Sequence, residues 1–178
     1  MTISATGTFN NRPRRIPAGF TLLEMLVVVA IIGIVLTFAV LAIGGDRRAE
    51  ELERESRLFA ELLRMAGEQA VLRGEEWAVQ LDPEGYRFLL YTDEGWRTVE
   101  GDELFRPREL AEDTWLEVEL EGRDLDLEKT REIKPTLLLL SSGETSPFVA
   151  EFSADDTERR FLVQTDNRRQ IEWKDGDQ

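Results

Sequence analysis

The sequence predicts an α+β protein in which one long N-terminal helix packs on an antiparallel β-sheet or sandwich domain. An apolar run without charge lies near the N-terminus, and a one-sided apolar pattern follows it. The rest of the chain contains short segments in which apolar and polar residues alternate. A period of 3.6 residues indicates a helix and a period of two indicates a strand. Since the helical pattern comes first along the chain, the helix precedes the sheet.

The composition excludes several kinds of chemistry. The chain has 178 residues without Cys or His, so it contains no disulfide, thiol nucleophile, imidazole base or zinc site built from these residues. It lacks a Gly-rich phosphate loop and a nucleophile elbow. Asp124, Asp126 and Glu128 are spaced unlike an EF-hand and are typical of a solvated acidic loop. We therefore expect no enzyme activity, no cofactor and no metal site.

Charge is distributed unevenly along the chain. Residues 1–19 hold Arg12, Arg14 and Arg15 without an acid and are predicted to be a disordered basic leader. They contribute +3 and the next zone contributes −1 to the total of −14, so residues 46–178 carry −16. This acidic balance argues against nucleic acid as a partner. The positive-inside rule places the leader in the cytoplasm and the acidic domain across the membrane, which is the periplasm in a cell with two membranes.

Residues 20–45 form the apolar zone. Glu24 is its only ionisable residue, and Met25 to Ile43 make an uncharged run of 19 residues. As a helix this run is about 28 Å long, close to the hydrocarbon thickness of a bilayer. From these residues alone, a secretory signal peptide cleaved after Ala42 and a plain signal anchor both remain open.

A single carboxylate at the start of a membrane segment needs a physical reason. A charge in lipid costs about 2.5–3.5 kcal/mol on insertion scales. Thr21 and Glu24 have the spacing of a capping box, in which Thr caps the helix and Glu stabilises its first turn. On this account Glu24 lies in the headgroup layer and serves only its own helix.

The helical pattern continues over residues 46–74. Apolar or small residues recur at i, i+3, i+4 and i+7 spacing and are predicted to form one core-facing side. They are Leu52, Ser56, Phe59, Leu63, Ala66 and Ala70, and Leu58, Leu62, Met65 and Leu72 are predicted to widen that side. Gly74 is a natural C′ residue at which the helix ends.

Residues 75–178 are predicted to form the β-domain. Segments with strand patterns and turn residues between them are 77–81, 86–91, 115–120, 136–140, 148–152, 161–165 and 170–173. The charged stretches 99–113 and 121–134 show no such pattern, so we predict loops there.

The junction between the leader and the apolar zone resembles a known processing signal. A basic leader that ends in Gly19, followed by Phe20-Thr-Leu-Leu-Glu24 and a long apolar run, is similar to the class III signal of type IV pilins and pseudopilins. The resemblance implies that a prepilin peptidase cuts between Gly19 and Phe20 and methylates the amino group of Phe20. It also implies that Glu24 pairs with the terminal ammonium of a neighbouring subunit.

The same resemblance implies a pilin-like fold and a membrane topology. The first half of the helix would span the inner membrane once and form the filament core, with the N-terminus cytoplasmic. The amphipathic half would pack on a periplasmic β-domain.

The C-terminal part resembles one branch of this superfamily. Ser142-Gly-Glu-Thr-Ser-Pro-Phe148 is similar to the Ser/Gly turn of the H-type minor pseudopilins of the type II secretion system (general secretion pathway protein H). Asn167-Arg-Arg-Gln-Ile171 is loosely similar to the Gly-Gln-Ile-like element near the end of that branch, with Arg169 where Gly would match. The resemblance implies a structural subunit of the periplasmic pseudopilus, which moves folded proteins across the outer membrane. Its partners would be other minor pseudopilins and the major pseudopilin. The alternative is a minor pilin of a type IV pilus, active in pilus assembly or DNA uptake.

The cleavage site generates a prediction. We expect Gly19→Val to leave a precursor about 19 residues too long in the membrane fraction, because the implied peptidase requires Gly19 before the cut. Immunoblotting and intact-mass measurement of that fraction check the result. Normal cutting of the variant would show that the class III assignment is wrong.

Overall fold

A computed structural model describes residues 21–127, 132–166 and 170–176, and of residues 37–46 it describes the backbone alone. The predicted leader, Gly19, Phe20 and Arg169 lie outside the described residues. The chain divides into two compact units, Met1–Val40 and Leu41–Gln178, and each is described by itself.

The N-terminal part of the described chain is one helix of 52 residues, α1 (Leu22–Arg73). Thr21 caps it, since the Thr21 hydroxyl accepts a hydrogen bond of 3.2 Å from the backbone N–H of Glu24. Gly74 follows the last turn with a φ of 65°, the left-handed conformation in which a C′ glycine ends a helix. The predicted cap and the predicted end of the helix are both confirmed.

In the first unit, the described side chains of residues 21–36 are exposed around the whole circumference of the helix. Nearly all of them are apolar. Within the described part of the chain, no helical stretch combines the length and the hydropathy that a membrane crossing requires.

In the second unit, the described residues form ten strands that pair antiparallel. They are β1 (Trp77–Asp82), β2 (Gly85–Thr92), β3 (Gly95–Thr98), β4 (Arg108–Glu109), β5 (Thr114–Leu120), β6 (Arg123–Leu125), β7 (Leu137–Leu139), β8 (Phe148–Ala154), β9 (Thr157–Thr165) and β10 (Ile171–Asp175). The first sheet has the order β3-β2-β1-β7, with β4 also paired to β2, and the second has the order β10-β9-β8-β5-β6. The predicted α+β class with an antiparallel sandwich is confirmed.

Every predicted strand segment falls on an observed strand, but the loop predictions were wrong in two places. Arg108–Glu109 forms β4 within the stretch 99–113, and Arg123–Leu125 forms β6 within 121–134. Strand β3 was not predicted at all. These strands have two to four residues, too few for a period to show, and their partner strands hold them. The hairpin into β6 turns through Glu121 and Gly122, both with positive φ, as a two-residue type I′ turn requires.

The core of the second unit joins α1 to both sheets. All six residues of the predicted helix face are at most 3% exposed. Phe59 lies at the centre, with its ring 4.7 Å from Tyr86 of the first sheet and 5.6 Å from Phe152 of the second, centroid to centroid. Leu62 is buried as predicted, whereas Met65 and Leu72 are 40% and 79% exposed. Their assignment to the core was wrong, because both side chains remain largely exposed on the surface of α1.

The close approach of β4 to β2 generates a prediction. A Cβ at Gly85 would lie 2.1 Å from the carbonyl oxygen of Arg108. We expect Gly85→Ala to lower the free energy of unfolding by about 1–3 kcal/mol, because the backbone of β4 must move.

Gly67→Ala is the matched control for this substitution. A Cβ at Gly67 meets no atom within 4 Å, so this variant should gain about 0.5–1 kcal/mol from better helix propensity. Urea unfolding of the purified full chain in detergent measures both. Equal stability of Gly85→Ala and the wild type would contradict the pairing of β4 with β2.

Candidate functional site

The N-terminal end of α1 presents one carboxylate beside an apolar helix surface. Glu24 is exposed in the first turn, and the Thr21 cap fixes its backbone N–H. Leu22 is 84% exposed and the apolar side chains after it surround the helix. Such a surface is stable only where lipid or other helices cover it. Of the three predicted site residues, the structure describes Glu24 alone, and Gly19 and Phe20 lie outside the described residues.

The amphipathic half of α1 is fixed to the C-terminal strand β10. The Trp173 indole N–H donates a hydrogen bond of 2.9 Å to the Ser56 hydroxyl, and the Arg57 guanidinium lies 3.5 Å from the centroid of the Trp173 ring system. Further along the helix, Arg64 Nε and Nη2 donate to the carbonyl of Ile171 at 3.2 and 3.1 Å. The sequence predicted a strand here but gave no signal that the helix would bind it.

A buried tyrosine ties the helix to the first sheet. The Tyr86 hydroxyl donates a hydrogen bond of 2.8 Å to a carboxylate oxygen of Glu55, and Tyr86 is only 2% exposed. Burial raises the pKa of the Tyr86 phenol far above its usual range, and the negative charge of Glu55 raises it further. The phenol therefore remains a proton donor at physiological pH.

The Ser/Gly segment between β7 and β8 is a tightly bonded turn. The Glu76 carboxylate accepts hydrogen bonds from the Ser141 N–H at 3.1 Å and the Ser141 hydroxyl at 2.5 Å. The Ser146 hydroxyl accepts one from the Leu138 N–H at 3.0 Å. Gly143 has a φ of 84°, which few residues other than Gly adopt. The turn predicted at this position is confirmed, and it forms a wall held by these hydrogen bonds.

This wall and the last turns of α1 enclose a groove of about 630 Å³, here called the helix-end groove. Its helix side includes Gly67, Val71 and Leu72, and its other side includes Leu140 and Ile171. Sequence reasoning missed it because its residues come from three separate stretches of chain. Exposed apolar residues at the end of a helix were the one available signal, and we assigned Leu72 to the core instead.

No group of three or more acidic residues in the described part of the chain is placed to hold a metal ion. Asp124 and Asp126 belong to that part, and Glu128 lies outside it.

The fold and these surfaces define a class of protein. One helix with an apolar, exposed N-terminal part and an amphipathic part packed across two antiparallel sheets is the architecture of a pilin-like protein.

Comparison with known proteins identifies the family. A model of the prokaryotic N-terminal methylation motif matches residues 14–44, and a model of the family described as Type II transport protein GspH matches residues 55–167. This chain belongs to the GspH family.

Curated relatives cover nearly the same span. Type II secretion system protein H of Aeromonas hydrophila is 33% identical over 156 residues, 82% of this chain and 85% of that protein. The protein of the same name from Pseudomonas aeruginosa is 35% identical over 158 residues, 83% of this chain and 90% of that protein. The solved structure of the minor pseudopilin EpsH from Vibrio cholerae covers 72% of this chain and 99% of its own, with a TM-score of 0.62 and 24% identity, and supports the fold.

The contact between Tyr86 and Glu55 generates a prediction. We expect Tyr86→Phe to lower the free energy of unfolding at pH 7 by about 1–2 kcal/mol, because it removes a hydrogen bond to a carboxylate. A phenol pKa raised by folding adds stability that is complete below the unfolded pKa of about 10 and is lost as the pH rises above it. The variant should therefore lose less stability than the wild type above about pH 10.

Tyr91→Phe is the control, since Tyr91 is the other tyrosine and is 56% exposed. Urea unfolding from pH 7 to 11 measures all three proteins. If Tyr86→Phe and Tyr91→Phe have the same effect, the bond to Glu55 does not stabilise the fold.

Proposed function

We propose that this protein is a minor pseudopilin of the type II secretion system. It joins the periplasmic pseudopilus, which moves folded proteins across the outer membrane. One observation carries the proposal: a single chain contains both an N-terminal methylation motif and a GspH match. The methylation motif is typical of pilin-like subunits that are processed and then assembled through their helices. The GspH match is typical of one branch of these subunits. The role is assembly rather than catalysis.

Membership of the GspH family favours secretion over the alternative, a minor pilin of a type IV pilus. Charge supports the same choice. A subunit that captures DNA needs an exposed basic patch, and residues 46–178 carry a net charge of −16.

The proposal includes processing and topology. Prepilin peptidase removes residues 1–19 by cutting after Gly19, and Phe20 becomes the N-methylated first residue. Residues 20–45 then anchor the chain in the inner membrane and form the filament core. Residues 46–74 and 75–178 are the amphipathic half of the helix and the periplasmic β-domain. The uncharged run of 19 residues between a basic leader and an acidic domain supports this arrangement.

Glu24 is proposed to drive assembly. A lone carboxylate at the edge of the bilayer is unfavourable, and pairing with the N-methylammonium of a neighbouring Phe20 offsets that cost. The exposed position of Glu24 in the first helical turn supports this role, since its side chain is open to a neighbour. The exposed apolar side chains of residues 22–36 are then covered by the helices of the other major and minor pseudopilins.

The test of the proposal is the intact mass and N-terminal sequence of the protein from its own membranes. A chain that starts at N-methyl-Phe20 supports a pseudopilin. A start after Ala42 or an uncut chain would remove the filament role.

The role of Glu24 generates a further prediction. We expect Glu24→Gln to be cut normally but to remain unmethylated, and to join the pseudopilus at least about tenfold less, because the amide cannot pair with an ammonium. Mass spectrometry and co-purification with the major pseudopilin measure the two effects. Glu50→Gln, an exposed site further along the same helix, should behave like the wild type. Normal methylation and assembly of Glu24→Gln would contradict the pairing.

A further inference from the structure

We propose that the helix-end groove is the docking site for an apolar segment of another pseudopilin, with a Lys or Arg beside that segment. The proposal rests on the function proposed above and deepens it, because it names the surface and the chemistry of the contact.

Gly67 is the first observation. It lies inside α1, where Gly is less favourable than Ala, and it has no left-handed φ that would require Gly. A Cβ built on Gly67 meets no atom within 4 Å, so no contact within the described protein requires a glycine at this position. A glycine on an open helix surface allows a partner's backbone to approach closely.

Exposed apolar side chains are the second observation. Val71 and Leu72 line the groove and are 51% and 79% exposed. Leu140 and Ile171 face them as half-buried residues from the other side. A concave apolar surface next to a bare helix position is typical of a docking site for a protein segment.

The groove is held open by bonds within the protein. Glu76 fixes the Ser141 end of one wall through two hydrogen bonds, and Arg64 fixes the carbonyl of Ile171 at the other side. The surface is therefore preformed, and binding of the partner costs little conformational entropy for ordering it.

Charge identifies the kind of occupant. Exposed carboxylates stand on both walls, Glu68 on the helix and Glu144 on the turn. Arg64, the cation in the lining, is engaged with the Ile171 carbonyl and the Glu61 carboxylate. A second copy would bring another domain of charge −16, so like charges oppose self-docking. A different subunit with a basic side chain beside an apolar segment complements the groove.

The test uses the full chain in the bacterium that encodes it, in a strain that lacks the native gene. A photocrosslinking phenylalanine replaces Leu72, and the crosslinked product and its peptides are identified by mass spectrometry. We expect an adduct with another pseudopilin at an apolar peptide with an adjacent Lys or Arg. Adducts with a second copy of this chain or with lipid alone, or no adduct, would overturn the proposal.

A second variant fills the groove in the same reporter chain. Gly67→Leu should reduce the adduct about tenfold, whereas Arg54→Leu, exposed on α1 outside the groove, should leave it unchanged. Gly67→Leu should unfold at the wild-type temperature or higher, since Leu is the better helix former and the site is open. An unchanged adduct in a folded Gly67→Leu chain overturns the proposal.

Secretion separates this proposal from the function on which it rests. If the deletion strain secretes normally, both are wrong. If wild-type and Gly67→Leu genes restore secretion equally and no pseudopilin adduct forms at Leu72, the groove proposal alone is overturned.

Discussion

The structure of the globular unit depends on the burial of one helix face between two sheets. The sheets are separate ladders, and the apolar side of α1 is the surface that both of them bury. Phe59 shows this most directly, since its ring contacts Tyr86 in one sheet and Phe152 in the other. Without that face each sheet would expose an apolar side, so the β-domain forms only around the helix.

Polar contacts then fix where along the helix each sheet lies. Glu55 binds Tyr86 on the first sheet, and Ser56 and Arg64 bind β10 on the second. Apolar packing alone would allow a sheet to shift along the helix. The hydrogen bonds are directional, so a shift of the sheet by one helical turn would break them. The domain is thus held at a defined position on residues 52–70.

The proposed processing and assembly residues differ from the groove in how they could be found. Gly19, Phe20 and Glu24 lie within six consecutive residues, and a short linear stretch of this kind can be recognised by its resemblance to the class III signal. The groove is assembled from α1, the Ser/Gly turn and the start of β10. No linear pattern marks such a site, and the exposure of Leu72 became evident only from the fold.

Local sequence patterns predicted the cap and the end of α1, the six buried positions on its core-facing side and the approximate positions of the longer strands. These follow from local periodicity, capping residues and turn chemistry, which act within a few residues. Tertiary structure decided the short strands β3, β4 and β6, the contacts of β10 and the exposure of Met65 and Leu72. The short strands and the contacts of β10 depend on partners elsewhere in the chain, which supply hydrogen bonds that the local pattern does not show. Met65 and Leu72 fit the apolar pattern of the helix, but the described strands leave both of them exposed.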